Sequence, residues 1–188
     1  MVIYWIACYL IGTILTAWWV GKRRGTDLRQ ERSGNLGARN AGAVLGKTAF
    51  FITFFGDASK AALAVWLGRC LDFSPWAVAF GGFAVVAGHL FPFWLKGRGG
   101  KGIAAFIGAS LFIAPKLFLA MAIGFAAGLL LIRSATLAML AGFAAFAVFM
   151  IHSGEFPAAW PLLAAMALIL RKHVPDIKES FHNRFGQS

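Results

Sequence analysis

Residues 2–20, VIYWIACYLIGTILTAWWV, contain no charged side chain. An apolar run of about 18 or more residues is long enough, as a helix, to cross the hydrocarbon of a bilayer. No cationic region precedes it, and Gly-Lys-Arg-Arg follows it. A cleaved secretory leader has the opposite order. The pattern predicts a permanent first helix with its N-terminus outside and its basic end inside. Apolar character continues through the chain: 60% of the 188 residues are hydrophobic and only 13% charged. A water-soluble domain of this size cannot hide that much apolar surface. The expected fold is therefore all-α, a polytopic integral membrane helical bundle forming one membrane domain over residues 1–188.

Hydropathy predicts further spans over residues 48–70, 75–95, 135–151 and 157–170, with a polar tail at 171–188. Asp72, Ser74 and Pro75 mark the turn before the third span. Residues 103–132 form a longer run interrupted at Pro115 and Lys116. A proline there frees a carbonyl and stops the helical ladder, so two short helices, 103–114 and 116–132, are expected. Counting cations supports about seven spans. The stretches 21–47, 96–102, the joint at Arg133 and the tail would then share the inner face, carrying seven, three, one and four cations, or 15 of the 18 Lys and Arg. The C-terminus is accordingly expected in the cytoplasm.

A net charge of +11 would also suit nucleic acid. Because the cations sit between spans, topology accounts for them and no nucleic-acid partner is expected. Cys8 and Cys70 stand apart within apolar segments. They are neither a disulfide framework nor part of a metal set, and are expected as small buried side chains. The sequence leaves the oligomeric state open.

Three constellations carry possible chemistry. The first is Gly97-Arg98-Gly99-Gly100-Lys101-Gly102, where cations and glycines interrupt a greasy chain. Glycines let backbone N–H groups approach a ligand, and the helix that follows supplies a positive dipole end. With Lys96, Arg98 and Lys101 the stretch suits a phosphate dianion, although it lacks the Ser or Thr of a Walker A loop. Topology signalling alone would need the cations but not the glycines. The second is RSGNLGARN at 32–40, where Ser33, Asn35 and Asn40 offer hydroxyl and amide groups and Arg32 and Arg39 offer forked donors. The third is Asp57 and Lys60, three residues apart on one helix face at membrane depth. Such charges face a protein interior, either as a structural pair or in a transport or binding site. His89 stands just before the glycine loop with structural and functional roles equally open. His173, beside Arg171 and Lys172 at the end of the last span, is the better functional candidate. His152 and His182 read as solvated.

Together these motifs give a resemblance to the bacterial glycerol-3-phosphate acyltransferases of the PlsY type. SGNLGARNAGAVLGK, GDASKA, GHLFPFWLKGRGGKGIA, RSATLA and KHVPDI follow that family's order over nearly the whole chain. The resemblance implies an integral membrane enzyme of the inner (cytoplasmic) membrane. It would transfer a fatty acyl group from acyl phosphate to the 1-hydroxyl of glycerol 3-phosphate, yielding lysophosphatidic acid for phospholipid synthesis, with neither cofactor, metal nor covalent acyl-enzyme. It implies that Gly99, Gly100, Lys101 and Gly102 hold the donor phosphate, that Ser33 and Asn35 line the acceptor pocket, and that His173 positions the acceptor. Ser33, Lys101 and His173 are then the catalytic candidates. Asn35, Arg39, Asn40, Asp57, Lys60, His89, Gly99, Gly100, Gly102, Thr136 and Asp176 are the substrate-binding ones.

The chain departs from that family at several places. Ala43 stands where an arginine is usual, and Arg39 where a threonine is usual. Thr136 replaces a serine but keeps the hydroxyl. Asp176 replaces the terminal asparagine, and Glu179 a basic residue. Acids near an anionic acceptor are unfavourable, so either Arg39 substitutes for the missing arginine or the acceptor differs. The alternatives to the acyltransferase are a small-anion transporter and a divergent enzyme with another acceptor.

Overall fold

The computed structural model describes residues 1–186 and is all-helical among them. Nine α-helices follow in order: α1 Val2–Thr13, α2 Thr16–Arg23, α3 Ala38–Leu45, α4 Lys47–Cys70, α5 Pro75–Leu90, α6 Ile103–Ile113, α7 Pro115–Ile132, α8 Ala135–His152 and α9 Phe156–Phe185. Five segments are long and apolar enough to cross a membrane: Val2–Arg23, Lys47–Cys70, Pro75–Leu95, Pro115–Ile132 and Ala135–His152. Apolar side chains stay on their outer surfaces, among them Phe51 and Phe55 on α4 and Leu130 and Leu131 on α7.

Helix α5 forms the centre. It packs against α1, α4, α6 and α9, and most of its small residues are buried. Against α1 the approach is backbone to backbone. A Cβ on Gly12 of α1 would collide with the Val85 carbonyl, and one on Gly88 of α5 with the Tyr9 carbonyl. Gly68 and Gly81 both make room for the Tyr4 ring, whose hydroxyl donates to the Ala64 carbonyl at 3.0 Å. In a bilayer, where lipid tails are as apolar as leucine, such close approach is what holds helices together. Helices α7 and α8 pair along Gly124, Gly128 and Gly142. Phe106, Phe143 and Phe146 fill the core between α6 and α8.

Five expectations need correction. The apolar run 2–20 is not one helix: Ile14 and Leu15 are extended and separate α1 from α2. The third span ends as a helix at Leu90, because Pro92 disfavours helical geometry at Phe91, and one 3-10 turn, Phe93–Leu95, completes it. The polar stretch 21–47 is not all loop, since it contains α3. The last span and the tail are one helix of 30 residues, α9, which runs through Pro161 and Pro175. Of the expected tail, residues 187 and 188 lie outside the described residues. Cys70, expected to be buried, is exposed at the end of α4, whereas Cys8 is buried. The division of the thirty-residue run at Pro115 is as expected, with Pro115 at the first position of α7.

Substituting Gly12 or Gly88 by alanine forces α1 and α5 apart, because the colliding atoms are backbone and cannot swing aside. Each is expected to cost about 1–3 kcal/mol and to lower the thermal midpoint in detergent. Alanine at Gly154, where the structure leaves open space but φ is +72°, should cost less.

Candidate active site

The break in the first span is the foundation of the site. Interrupting a helix at membrane depth frees backbone groups that lipid cannot satisfy. Here side chains satisfy them. Trp94 Nε1 donates to the Thr13 carbonyl at 3.1 Å, and Lys60 Nζ to the Ile14 carbonyl at 2.5 Å. Asp57 Oδ1 accepts from the Thr16 N–H at 3.5 Å and the Thr16 hydroxyl at 3.2 Å. Lys60 also donates to Asp57 Oδ1 at 2.8 Å and meets His89 Nδ1 at 2.9 Å. An ammonium has three donors and no acceptor. His89 Nδ1 must therefore accept, which puts the imidazole proton on Nε2. That nitrogen faces Gly100, where a Cβ would collide with it. One buried network thus joins the break in the first span, α4, α5 and the glycine loop. Asp57 Oδ2 and Thr53 Oγ1, one turn apart on α4, are buried without a hydrogen-bond partner.

The glycine loop returns along the end of α5. The Gly100 N–H donates to the His89 carbonyl at 3.0 Å and the Gly99 N–H to the Leu90 carbonyl at 3.2 Å. These bonds satisfy two carbonyls that a helix end leaves orphaned. In this structure the amides of Gly99 and Gly100 are therefore bonded to α5 carbonyls. Both positions still require glycine, since a Cβ would meet the His89 carbonyl at Gly99 and the His89 ring at Gly100. Gly102, at φ +88°, turns the chain into α6, whose first N–H groups have no side-chain cap. The positive end of α6 opens beside Lys101.

The second loop, 24–37, folds over the same end of the bundle. Leu28 and Leu36 are buried in an apolar cluster with Leu15, Ala17, Ala41 and Ala49, so the loop is anchored on the break in the first span. Asn40 staples it: its amide donates to the Leu28 and Glu31 carbonyls at 3.0 and 3.2 Å, and its oxygen accepts from the Ser33 N–H at 3.4 Å. Asp27 and Arg29 form a forked pair on the surface, 2.6 Å at the shortest. Arg29 holds the Asp27 carboxyl down to about 2.

Between the loops lies a cavity of about 490 Å³, lined by Ser33, Gly34, Asn35, Arg98, Gly99 and Lys101, with Asp27, Arg29, Gln30 and Lys172. Helix α9 closes its side. Lys172 Nζ donates to the Gly97 carbonyl at 3.2 Å and lies over the Phe91 ring. Lys101 Nζ pairs with the Asp176 carboxylate. His173 is buried on the same face of α9, with Nδ1 2.9 Å from the Ile169 carbonyl. A carbonyl only accepts, so Nδ1 carries the proton and Nε2 keeps a lone pair. Burial pushes the His173 pKa down; the Ile169 carbonyl and Asp176 oppose this, and Lys101 and Arg39 reinforce it.

Ser33, Asn35, Gly99 and Lys101 therefore meet around one space, with His173 and Asp176 beside it. Asp57, Lys60, His89 and Asn40 do not line it; each is buried in the framework behind it. Arg39 is exposed, 3.5 Å from the Thr136 hydroxyl at the start of α8, on the flank of the site. The sequence reading passed over Arg29 and Lys172 as cavity cations. Adjacency of Lys172 to His173 was a signal for the second; Arg29 had none beyond a basic loop.

The result is an all-helical membrane bundle with a cationic cavity at one end. Residues 2–183 match the family described as glycerol-3-phosphate acyltransferase. Glycerol-3-phosphate acyltransferase 1 of Bacillus cereus is 50% identical over 107 residues, covering 56% of this chain and 59% of that protein. A glycerol-3-phosphate acyltransferase of Burkholderia lata is 38% identical over 178 residues, covering 93% of this chain and 84% of the relative. The crystal structure of PlsY (YgiH), an integral membrane glycerol 3-phosphate acyltransferase, in its glycerol 3-phosphate form, superposes with a TM-score of 0.88 at 28% identity. It covers 97% of this chain and 92% of the other. The lysophosphatidic acid form of the same protein gives 0.85 at 27% identity. The chain belongs to the glycerol-3-phosphate acyltransferase family.

Replacing Lys60 by methionine would strand the Asp57 carboxylate and the Ile14 carbonyl inside the bundle. The expected loss is about 3–5 kcal/mol, the usual cost of leaving one partner of a buried pair. It would appear as a lower thermal midpoint in detergent. Adding Asp57→Asn should recover part of the loss; no recovery would mean that the pair is not what holds the break.

Proposed function

We propose that this chain transfers a fatty acyl group from acyl phosphate to the 1-hydroxyl of glycerol 3-phosphate. The product is lysophosphatidic acid, and the cavity faces the cytoplasm of a bacterial inner membrane. The observation that carries the reading is the cavity between the two loops, where Arg29, Arg98, Lys101 and Lys172 converge beside a buried histidine with a free nitrogen lone pair. Family membership and the ligand forms in which the structural neighbour was solved support the acceptor and product. Cations gathered in the loops that share this end, with apolar spans between them, support the inward orientation.

In this reading the donor's tail lies among apolar helices and its phosphate rests against Lys101 and the uncapped start of α6. The glycerol hydroxyl attacks the acyl carbonyl carbon, and the bond from that carbon to the phosphate oxygen breaks. The bonding electrons leave with the phosphate, whose charge Lys101 balances. His173 Nε2 accepts a hydrogen bond from the attacking hydroxyl and orients it; a substrate phosphate takes the proton. Since acyl phosphate is already activated, orientation and charge balance are the main tasks left to the protein. Asp57 and Lys60, which favoured a transporter in the sequence, are bonded to the break in the first span.

Purified protein incubated with acyl phosphate and glycerol 3-phosphate should form the 1-acyl product and release phosphate one for one. Lys101→Ala should lower kcat at least about a hundredfold. Wild-type turnover in that variant, or no product with wild-type protein, would refute the assignment. Trials with other phosphorylated acceptors would show the effect of Ala43 and Asp176.

His173 must be neutral to accept a hydrogen bond, and burial lowers its pKa. Activity is therefore lost as pH falls through that lowered value, so the acid limb of kcat should lie below pH 6.5, the ordinary histidine value. His173→Gln should remove this limb. A limb above pH 6.5, or one unchanged in the variant, would contradict the role.

A further inference from the structure

We propose that Asp176 is a built-in competitor for phosphate at Lys101, a carboxylate that occupies the lysine until a substrate phosphate displaces it. This rests on the reading of the cavity as a phosphate site. It goes further by assigning to Asp176 the opposite of a binding role.

Lys101 lines the cavity at the end of the glycine loop, and its ammonium is held by the carboxylate of Asp176 on α9. Both side chains are about a quarter exposed, so water and solutes reach the pair. Helix α9 holds the loop at a second point, where Lys172 Nζ donates to the Gly97 carbonyl. The two contacts respond differently to an anion. A carbonyl is neutral and part of the backbone, so an incoming phosphate does not replace it. A carboxylate is a single negative charge and competes directly with a phosphate dianion, which carries more charge and more acceptor oxygens. The Lys172 contact therefore persists while the Asp176 contact exchanges.

Displacement does not remove the carboxylate. Asp176 stays on the same helical face, close to the bound anion, and repels it. Every phosphate-bearing ligand at Lys101 thus meets a penalty, whether donor or released inorganic phosphate. An amide of the same shape would have neither the competition nor the repulsion. In this chain the aspartate weakens ground-state capture and hastens phosphate departure.

The test is direct. Inorganic phosphate is titrated calorimetrically into purified full-length protein in detergent, with wild type, Asp176→Asn, Asp176→Ala and Asp176→Glu compared at one salt concentration. Asn and Ala variants should bind phosphate about tenfold more tightly than wild type, the scale of one screened like-charge contact. The Glu variant should resemble wild type. The KM for acyl phosphate should fall in the Asn and Ala variants, and inhibition by phosphate should strengthen. Binding to the Asn and Ala variants that is equal, weaker or undetectable overturns the proposal, as does a Glu variant that binds as tightly as they do. Binding is read without turnover. Tighter phosphate binding without acyl transfer would uphold this inference and sink the proposed reaction. Acyl transfer with phosphate affinity unchanged by the variants would do the reverse.

Discussion

Three donors on one buried ammonium hold the rest of this structure in place. Lys60 reaches the carbonyl of a broken helix, the carboxylate one turn before it and the imidazole of the central helix. None of these partners could be left alone in the bundle: a free carbonyl, a lone carboxylate or a lone ammonium at that depth costs several kcal/mol. Together they allow the first span to open at Ile14 and Leu15. That opening provides the seat into which Leu28 and Leu36 of the polar loop are packed. The imidazole end of the network meets Gly100, fixing the glycine loop from below. Both walls of the cavity are therefore referenced to one lysine buried behind them.

The apolar length of the helices and the break at Pro115 could be read directly from the sequence, because bilayer thickness and proline geometry act locally. The break at Ile14 could not. Nothing in VIYWIACYLIGTILTAWWV forbids a continuous helix; the interruption depends on Lys60, Asp57 and Trp94, which are between 41 and 81 positions away. The same holds for α9, where hydropathy ends near residue 170 but the helix continues on polar residues anchored by Lys172 and Asp176. Hydropathy reports the solvent, and it loses the helix where the solvent changes.

Site legibility followed a similar division. Ser33, Asn35, Gly99 and Lys101 were singled out by motif, and the fold brings them to one cavity; His173, also singled out, is buried next to the cavity residue Lys172. Polar residues that serve the framework carry the same sequence signal. Asn40 looked like a ligand-facing amide, yet its donors and acceptor close the loop on itself. Gly99 and Gly100 looked like an anion cradle, whereas their amides complete the end of α5. A motif in a membrane protein combines residues that line a cavity with residues that satisfy the backbone behind them, and only geometry separates the two.

Pro175 occupies the position next to Asp176 inside α9. A proline there has no N–H for the Arg171 carbonyl four residues earlier, and its ring crowds that turn. The helix therefore lacks a backbone hydrogen bond next to the carboxylate that pairs with Lys101. Small swings of the segment beyond Pro175 need break no backbone hydrogen bond at that rung, because none was made. A compliant joint at this point would give the proposed exchange at Lys101 a hinge beyond the buried stretch of the helix from Ala159 to Ile169.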